Sequence, residues 1–376
     1  MKKFFYFSLF IGFGFASCTD NEIQVSPDLT SPILPAVTYD YNASIREFNP
    51  FDLNNNLGVK EIDSDIATLG RVLFYDKKLS LNNTISCGSC HHQSKAFADG
   101  KQFSSGFEGK LTTRNSLGFS NAMLQNNLFW DSRSKTLEDL ALKPVQNHIE
   151  MGMENIDNLV TKIEKIDYYR PLFKKAFGNE YVTADKLSEA LAQFVGSIAS
   201  LRSKNDLGLK DGFIDFSSLE LLGKNLFHSD RAMCSSCHGG GNMAPLDGPN
   251  DPYGGGGGDF SNTQDLQGAT NIGLDIVYAD QGVGEGRFKI PSLRNVALTA
   301  PYMHDGRFKS LEEVIEHYSS GVKQHKALDI KFKDEHGFVK HLNFTTIEKQ
   351  ALIAFLNTLT DYDMVTDVKW SDPFTK

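Results

Sequence analysis

The stretch TISCGSCHHQSKAFADG, residues 84–100, holds the motif on which the reading of the whole chain turns. Cys87, Cys90 and His91 spell C-x-x-C-H. At that spacing two thiols on one turn reach the vinyl groups on one porphyrin edge, and the next His falls beneath the iron as proximal ligand. MCSSCHGG, residues 233–240, repeats the motif with Cys234, Cys237 and His238. The competing chemistries are a four-ligand zinc site and a thioredoxin-like redox pair. Zinc shared between the motifs leaves each His beside a Cys without purpose, and redox pairs are not followed by His in duplicate. The reading is therefore two covalently bound c-type haems, held by His91 and His238.

Cysteine usage agrees. The chain has five cysteines, and the two motifs use four, so none is left for a structural disulfide. The fifth, Cys18, ends MKKFFYFSLFIGFGFASC. Lys2 and Lys3 make a positive start, and Phe4 to Phe15 a run too short to span a bilayer. Small residues before Cys18 are similar to a bacterial lipoprotein signal, although Phe15 is an unusual leading residue and ordinary secretion is the alternative. The expectation is a periplasmic protein tied to a membrane only by a lipid on Cys18. Export suits a c-type haem, which is attached outside the cytoplasm.

Composition bounds the function. The 376 residues are 40% hydrophobic and 23% charged, enough for two or three real cores. The formal charge of −9, or −11 once Lys2 and Lys3 are removed, lacks the basic footprint of a nucleic-acid binder.

The chain also repeats itself. LGRVLF (69–74) is echoed by LGKNLF (222–227), TRNS (113–116) by LRNV (293–296), and WDSRSKTLED (130–139) by HDGRFKSLEE (304–313). The order is the same in both copies. This gives a signal segment at 1–17 and a Pro-, Asp- and Asn-rich tether at 18–60. Two one-haem domains follow, at 61–205 and 206–376. The expected fold is mainly α: two c-type cytochrome-like domains with their haems at a shared interface. Ser310 with Glu313, and Thr345 with Glu348, stand in capping-box spacing ahead of apolar helical faces. The face after Ser310 carries Leu311, Val314, Ile315 and Tyr318. GGGGGD (254–259) is a flexible loop with no phosphate-cradle context.

Longer stretches carry a specific resemblance. LFYDKKLSLNNTISCGSCHHQSKAFADG (73–100), RNSLGFSNA (114–122), FWDSR (129–133), EMGM (150–153) and FKIPSLRNVALTAPYMHDGRFKSLEEV (288–314) resemble bacterial di-haem cytochrome c peroxidases and the related MauG-type enzymes. The resemblance spans roughly residues 65 to 360. It implies a peroxide-reducing haem in the N-terminal half and an electron-collecting haem in the C-terminal half. It also implies Trp130 between them, Glu150 as the acid–base carboxylate, and a calcium ion held by Asn115 with the backbones of Thr299 and Pro301. His304 matches a residue that supports a haem propionate.

Three departures shape the function. Peroxidases that need reductive activation carry a distal His where this chain has Phe107, so the first haem is expected to be open; His92 and His148 are the alternative hidden ligands. A family glutamine is Leu140, leaving a less polar pocket. The methionine that caps the second haem falls on Tyr318, as in MauG-type enzymes, with Met303 and His317 as rivals and core packing as the plain alternative.

The leading function is an exported peroxidase reducing hydrogen peroxide with electrons from a small cytochrome or similar carrier. A MauG-like oxidase of a protein or other substrate is second, and a non-enzymatic di-haem electron carrier third. A homodimer is an open expectation.

Overall fold

The computed structural model describes residues 1, 30–47, 61–125, 127–239 and 268–374. The signal segment with Cys18, part of the tether and the glycine run 254–259 lie outside the described residues. The chain is mainly helical, and among the described residues one sheet pairs β1 (Ala269–Thr270) with β2 (Phe288–Lys289), antiparallel.

Each half is built on one crossed helix pair. In the first, α1 (Ser64–Tyr75) packs on α2 (Ala184–Gly196); in the second, α3 (Ser218–Phe227) packs on α5 (Thr346–Asn357). The starts are set by side-chain caps. Asp63 accepts from the N–H groups of Asp65 and Ile66, and Thr183 from that of Lys186. Ser217 with Glu220, and Thr345 with Glu348, close full capping boxes.

The repeated glycine explains why the pairs cross so tightly. A Cβ on Gly70 would stand 1.8 Å from the Ala190 carbonyl oxygen and 2.8 Å from Phe194 Cβ. A Cβ on Gly223 would stand 1.8 Å from the Ala351 carbonyl oxygen and 2.9 Å from Phe355 Cβ. Backbone meets backbone at the same point of both halves, which only a residue without a side chain permits. Phe74 and Phe194 then fill the first core, and Phe227 and Phe355 the second. Burying each such ring contributes roughly 1.5–3 kcal/mol.

The structure corrects the repeat register in one place. Asn121 and Asn295 both adopt left-handed backbone, with φ of 52° and 60°. The Asn121 N–H donates to the Ile198 carbonyl, and its Oδ1 accepts from Ser200 N–H. Asn295 makes the same pair of bonds to Leu359 and Asp361. The partner of LRNVAL (293–298) is therefore FSNAML (119–124), not TRNS, whose Arg-Asn pair matches by letter alone.

Two expected boundaries also shift. The end of the 206–376 segment returns to the first core. Trp370 is 1% exposed there, its carbonyl accepts from Tyr75 Oη at 2.6 Å, and Arg71 holds the Ser371 carbonyl. The tether is packed in part. Tyr41 is fully buried, Asn42 exchanges two hydrogen bonds with the Ile62 backbone, and Ile33 N–H donates to the Pro373 carbonyl. Apolar anchors outweigh the polar composition that suggested a free linker.

Candidate functional site

One continuous cavity of about 920 Å³ lies between the halves and is bordered by both C-x-x-C-H motifs. In the first, the Cys87 and Cys90 backbones close a short turn, with the His91 N–H donating to the Cys87 carbonyl at 3.0 Å. In the second, His238 N–H donates to the Cys234 carbonyl at 2.9 Å. Each turn presents two thiols and one imidazole to the cavity.

Burial sets the protonation of these groups. Cys87 and Cys234 are pushed up to about 12 and Cys90 to about 11, so none is the low-pKa thiolate of a redox pair. His91 is pushed down to about 4 by burial and is neutral at pH 7. Its Nδ1 stands 2.6 Å from the Phe97 carbonyl, which only accepts, so Nδ1 carries the proton and Nε2 keeps its lone pair. Phe119 stacks on the imidazole, 4.0 Å between ring centroids, and fixes its plane. A backbone acceptor on one ring nitrogen and a stacked ring are contacts of the kind that orient a metal-binding imidazole.

Trp130, Glu150, Tyr318, His304, Asn115, Thr299 and Pro301 all border the same cavity. Trp130 Nε1 donates to the Asn115 carbonyl at 2.9 Å, and Asn115 N–H donates to the His304 carbonyl at 2.7 Å. His304 is 5% exposed and stacks on Phe288 at 3.6 Å, and its Nδ1 finds no partner among the described residues. An orphaned buried imidazole nitrogen on a residue that borders the cavity fits a site made for a ligand with acceptor oxygens.

Glu150 brings a carboxyl group to the cavity beside the first motif. Burial raises its pKa above the ordinary carboxylate range, and the Arg133 guanidinium partly opposes that rise. Leu140 borders the cavity as well, in keeping with a less polar pocket.

The three residues named for the distal side of the first motif behave alike. Phe107 turns its ring onto Gly152, where a Cβ would stand 2.8 Å from the ring, and its N–H donates to the Ile149 and Glu150 carbonyls. Phe107 and His148 border a separate small groove, and neither they nor His92 border the central cavity.

At the second motif, α4 (Leu311–Glu316) begins at its Ser310 cap and runs into a single π turn over His317–Gly321. Leu311, Val314, Ile315 and Tyr318 line the cavity together, the face expected from their spacing. Burial and the nearby Cys237 and Cys234 thiols drive the Tyr318 phenol well above its usual value. A phenol so disfavoured as an anion ionises only beside a cation. The rival His317 is buried with Nε2 donating to the Ile272 carbonyl, and it does not border the cavity; Met303 does.

Sequence reading passed over Lys289, Gln125 and the Arg114 bridge. Arg114 joins Asp131 of the first half to Asp280 of the second, at 2.6 Å each. Lys289 stood in plain view inside FKIPSLRN, a charged residue in an otherwise apolar stretch.

The fit extends to known proteins. A family model described as di-haem cytochrome c peroxidase matches residues 64–212. The chain is 32% identical to the cytochrome c551 peroxidase of Nitrosomonas europaea over 306 residues, 79% of this chain and 80% of that one. It is 29% identical to the methylamine utilization protein MauG of Methylophilus methylotrophus over 312 residues, 82% and 85% of the two chains. Among solved structures, a MauG-like protein associated with microbial copper homeostasis aligns with a TM-score of 0.72 at 31% identity, covering 86% of this chain and 99% of that one. The chain belongs to the di-haem cytochrome c peroxidase family, and it is an oxidoreductase that carries two c-type haems.

Proposed function

We propose that this protein is an exported peroxidase that reduces hydrogen peroxide to two waters, taking two electrons from a small cytochrome or similar carrier and two protons from solvent. The observation that carries the reading is Glu150: a carboxyl group with a raised pKa, in the cavity beside the first haem motif. When bound, the haems would supply the redox chemistry that peroxide reduction needs.

The chain's own residues then divide the remaining work. Cys87, Cys90, Cys234 and Cys237 would anchor the porphyrins, and His91 and His238 would hold their irons. The Glu150 carboxylate takes a proton from the inner peroxide oxygen and returns it to the outer one. Leu140 keeps that pocket dry. Trp130, held through Nε1 by the Asn115 carbonyl, fills the gap between the motifs. His304 offers its unpartnered Nδ1 to a haem propionate. Asn115 and the Thr299 and Pro301 carbonyls would offer calcium an oxygen-only set of ligands, and all three residues border the cavity. For localisation, Cys18 is the lipid-attachment point and the periplasm the compartment; among the described residues no helix is long and apolar enough to cross a membrane.

One observation favours the MauG-like reading. Tyr318 faces the second motif from a π turn, a helix irregularity that recurs at functional sites. An anionic ligand stabilises ferric iron and lowers the potential, which suits withdrawing electrons from a protein or other substrate.

The deciding experiment is peroxide-dependent oxidation of reduced cytochrome c by the fully oxidised protein, repeated after adding one electron per molecule. Turnover without pre-reduction is expected, because Phe107, His92 and His148 all stand outside the cavity. No turnover in either state rejects the peroxidase reading. A peroxide-induced spectral change without turnover then favours the oxidase.

A further inference from the structure

The cavity between the motifs contains a cation that no carboxylate among the described residues balances. Lys289, on β2, is 7% exposed. Its ammonium donates to Gln125 Oε1, a neutral amide of the opposite half, and burial alone drives its pKa down to about 8. No carboxylate among the described residues stands within ion-pair distance of it, and no opposing charge acts on it. The other cations in similar places are treated differently. Buried Arg294 meets Asp206 at 2.8 Å, buried Lys369 meets Asp367 at 3.0 Å, and Arg114 at the cavity wall meets both Asp131 and Asp280.

A buried ammonium with one neutral acceptor leaves donors unused and pays a desolvation cost that nothing offsets. That is unfavourable unless the counter-charge arrives with whatever fills the cavity. The group that fills this cavity in a di-haem protein carries carboxylates of its own. We propose that Lys289 is the counter-charge for a haem propionate in the gap between the two haems, and that it thereby sets the reduction potential of that haem.

The position suits the role. Lys289 N–H donates to the Trp130 carbonyl at 2.8 Å, so the residue is pinned to the tryptophan that fills the same gap. A positive charge beside a haem stabilises the reduced form, because reduction adds negative charge. Lys289 is thus a positioning and charge-setting residue. The proposal rests on the chain's carrying two haems and not on the choice between peroxidase and oxidase, so it stands or falls separately from peroxide turnover.

The test uses the full protein with both haems attached, as wild type, K289Q and K289R, and a potentiometric titration followed by absorbance. For K289Q the equilibrium constant for reduction of one haem should fall about tenfold, a downward midpoint shift of about 59 mV, with the other haem moved less. K289R should keep both midpoints near the wild-type values. Unchanged midpoints in a K289Q protein with both haems overturn the proposal. Should K289Q lose a haem, redox-difference infrared spectra of wild type and K289R decide it. A propionate band that moves between Lys and Arg supports the pairing, and identical bands overturn it.

Discussion

Asn115 and Lys289 occupy matching places in the two halves and clasp them together. The Asn115 N–H donates to the carbonyl of His304, and the Lys289 N–H donates to the carbonyl of Trp130, at 2.7 and 2.8 Å. Both donors stand six residues before the left-handed asparagines 121 and 295, and both acceptors nine residues after them. Each half therefore hands its central cavity residue to a backbone donor of the other. The cavity wall at Trp130 and His304 is held by the repeat itself, with two main-chain bonds that do not depend on side-chain rotamers.

The tight crossing of the helix pairs sets the first prediction. Gly70→Ala and Gly223→Ala each drive a methyl group into a carbonyl oxygen at 1.8 Å, so the helices must separate. Overpacking of this kind costs roughly 1–3 kcal/mol. Chemical denaturation of the holoprotein should show a loss in that range for either variant, while Gly109→Ala, where a Cβ meets nothing within 4 Å, serves as the control for left-handed backbone strain alone. Equal losses at all three sites would reject the close-approach explanation.

How much of this was legible beforehand follows the range of the interaction. Cys87, Cys90 and His91 act within one turn, and Thr345 caps its own helix with Glu348, so spacing alone exposes both. The α4 face through Leu311, Val314, Ile315 and Tyr318 is likewise a local period. The repeat register is obscured in the sequence because Arg-Asn occurs in both halves. The shared role instead belongs to Asn121 and Asn295, which bond to residues 198 and 359, far along the chain. The return of Trp370 to the first core and the burial of Lys289 are equally non-local. Nothing near them in the sequence states which surface they meet.

Tyr318 tests the second haem. Its phenol is held well above its usual pKa by burial, so it stays neutral unless iron is beside it. Tyr318→Phe should remove a charged ligand, raise the midpoint potential of the second haem and change its visible and electron paramagnetic resonance spectra. The first haem should be unaffected. A variant with both spectra unchanged would make Tyr318 a packing residue that stacks on Phe332, and Met303 the remaining candidate in the cavity.

Phe107 tests the backbone of the distal loop. Its N–H is tied to the Ile149 and Glu150 carbonyls, which aims the side chain at Gly152 and away from the cavity. Phe107→His should therefore leave the oxidised first haem high-spin and active without pre-reduction, because the loop presents the new imidazole to the outer groove. A low-spin bis-histidine signal in this variant would show that the loop swings freely and that residue type alone controls activation.

Glu150 gives the pH dependence its sign. As proton acceptor it works in the carboxylate form, and burial raises its pKa, so that form is lost at a higher pH than for an ordinary glutamate. Peroxide turnover should fall as pH drops through this raised value, with the acid limb lying above about 4.3, the usual glutamate pKa. Glu150→Gln keeps the shape and removes the acid–base step, which supplies about 10²–10⁴-fold. The variant should keep both haems and their spectra, lose kcat by that factor and lose the acid limb with it. A variant that loses rate but retains the limb would assign the titration to another group, and Glu150 would then only shape the pocket.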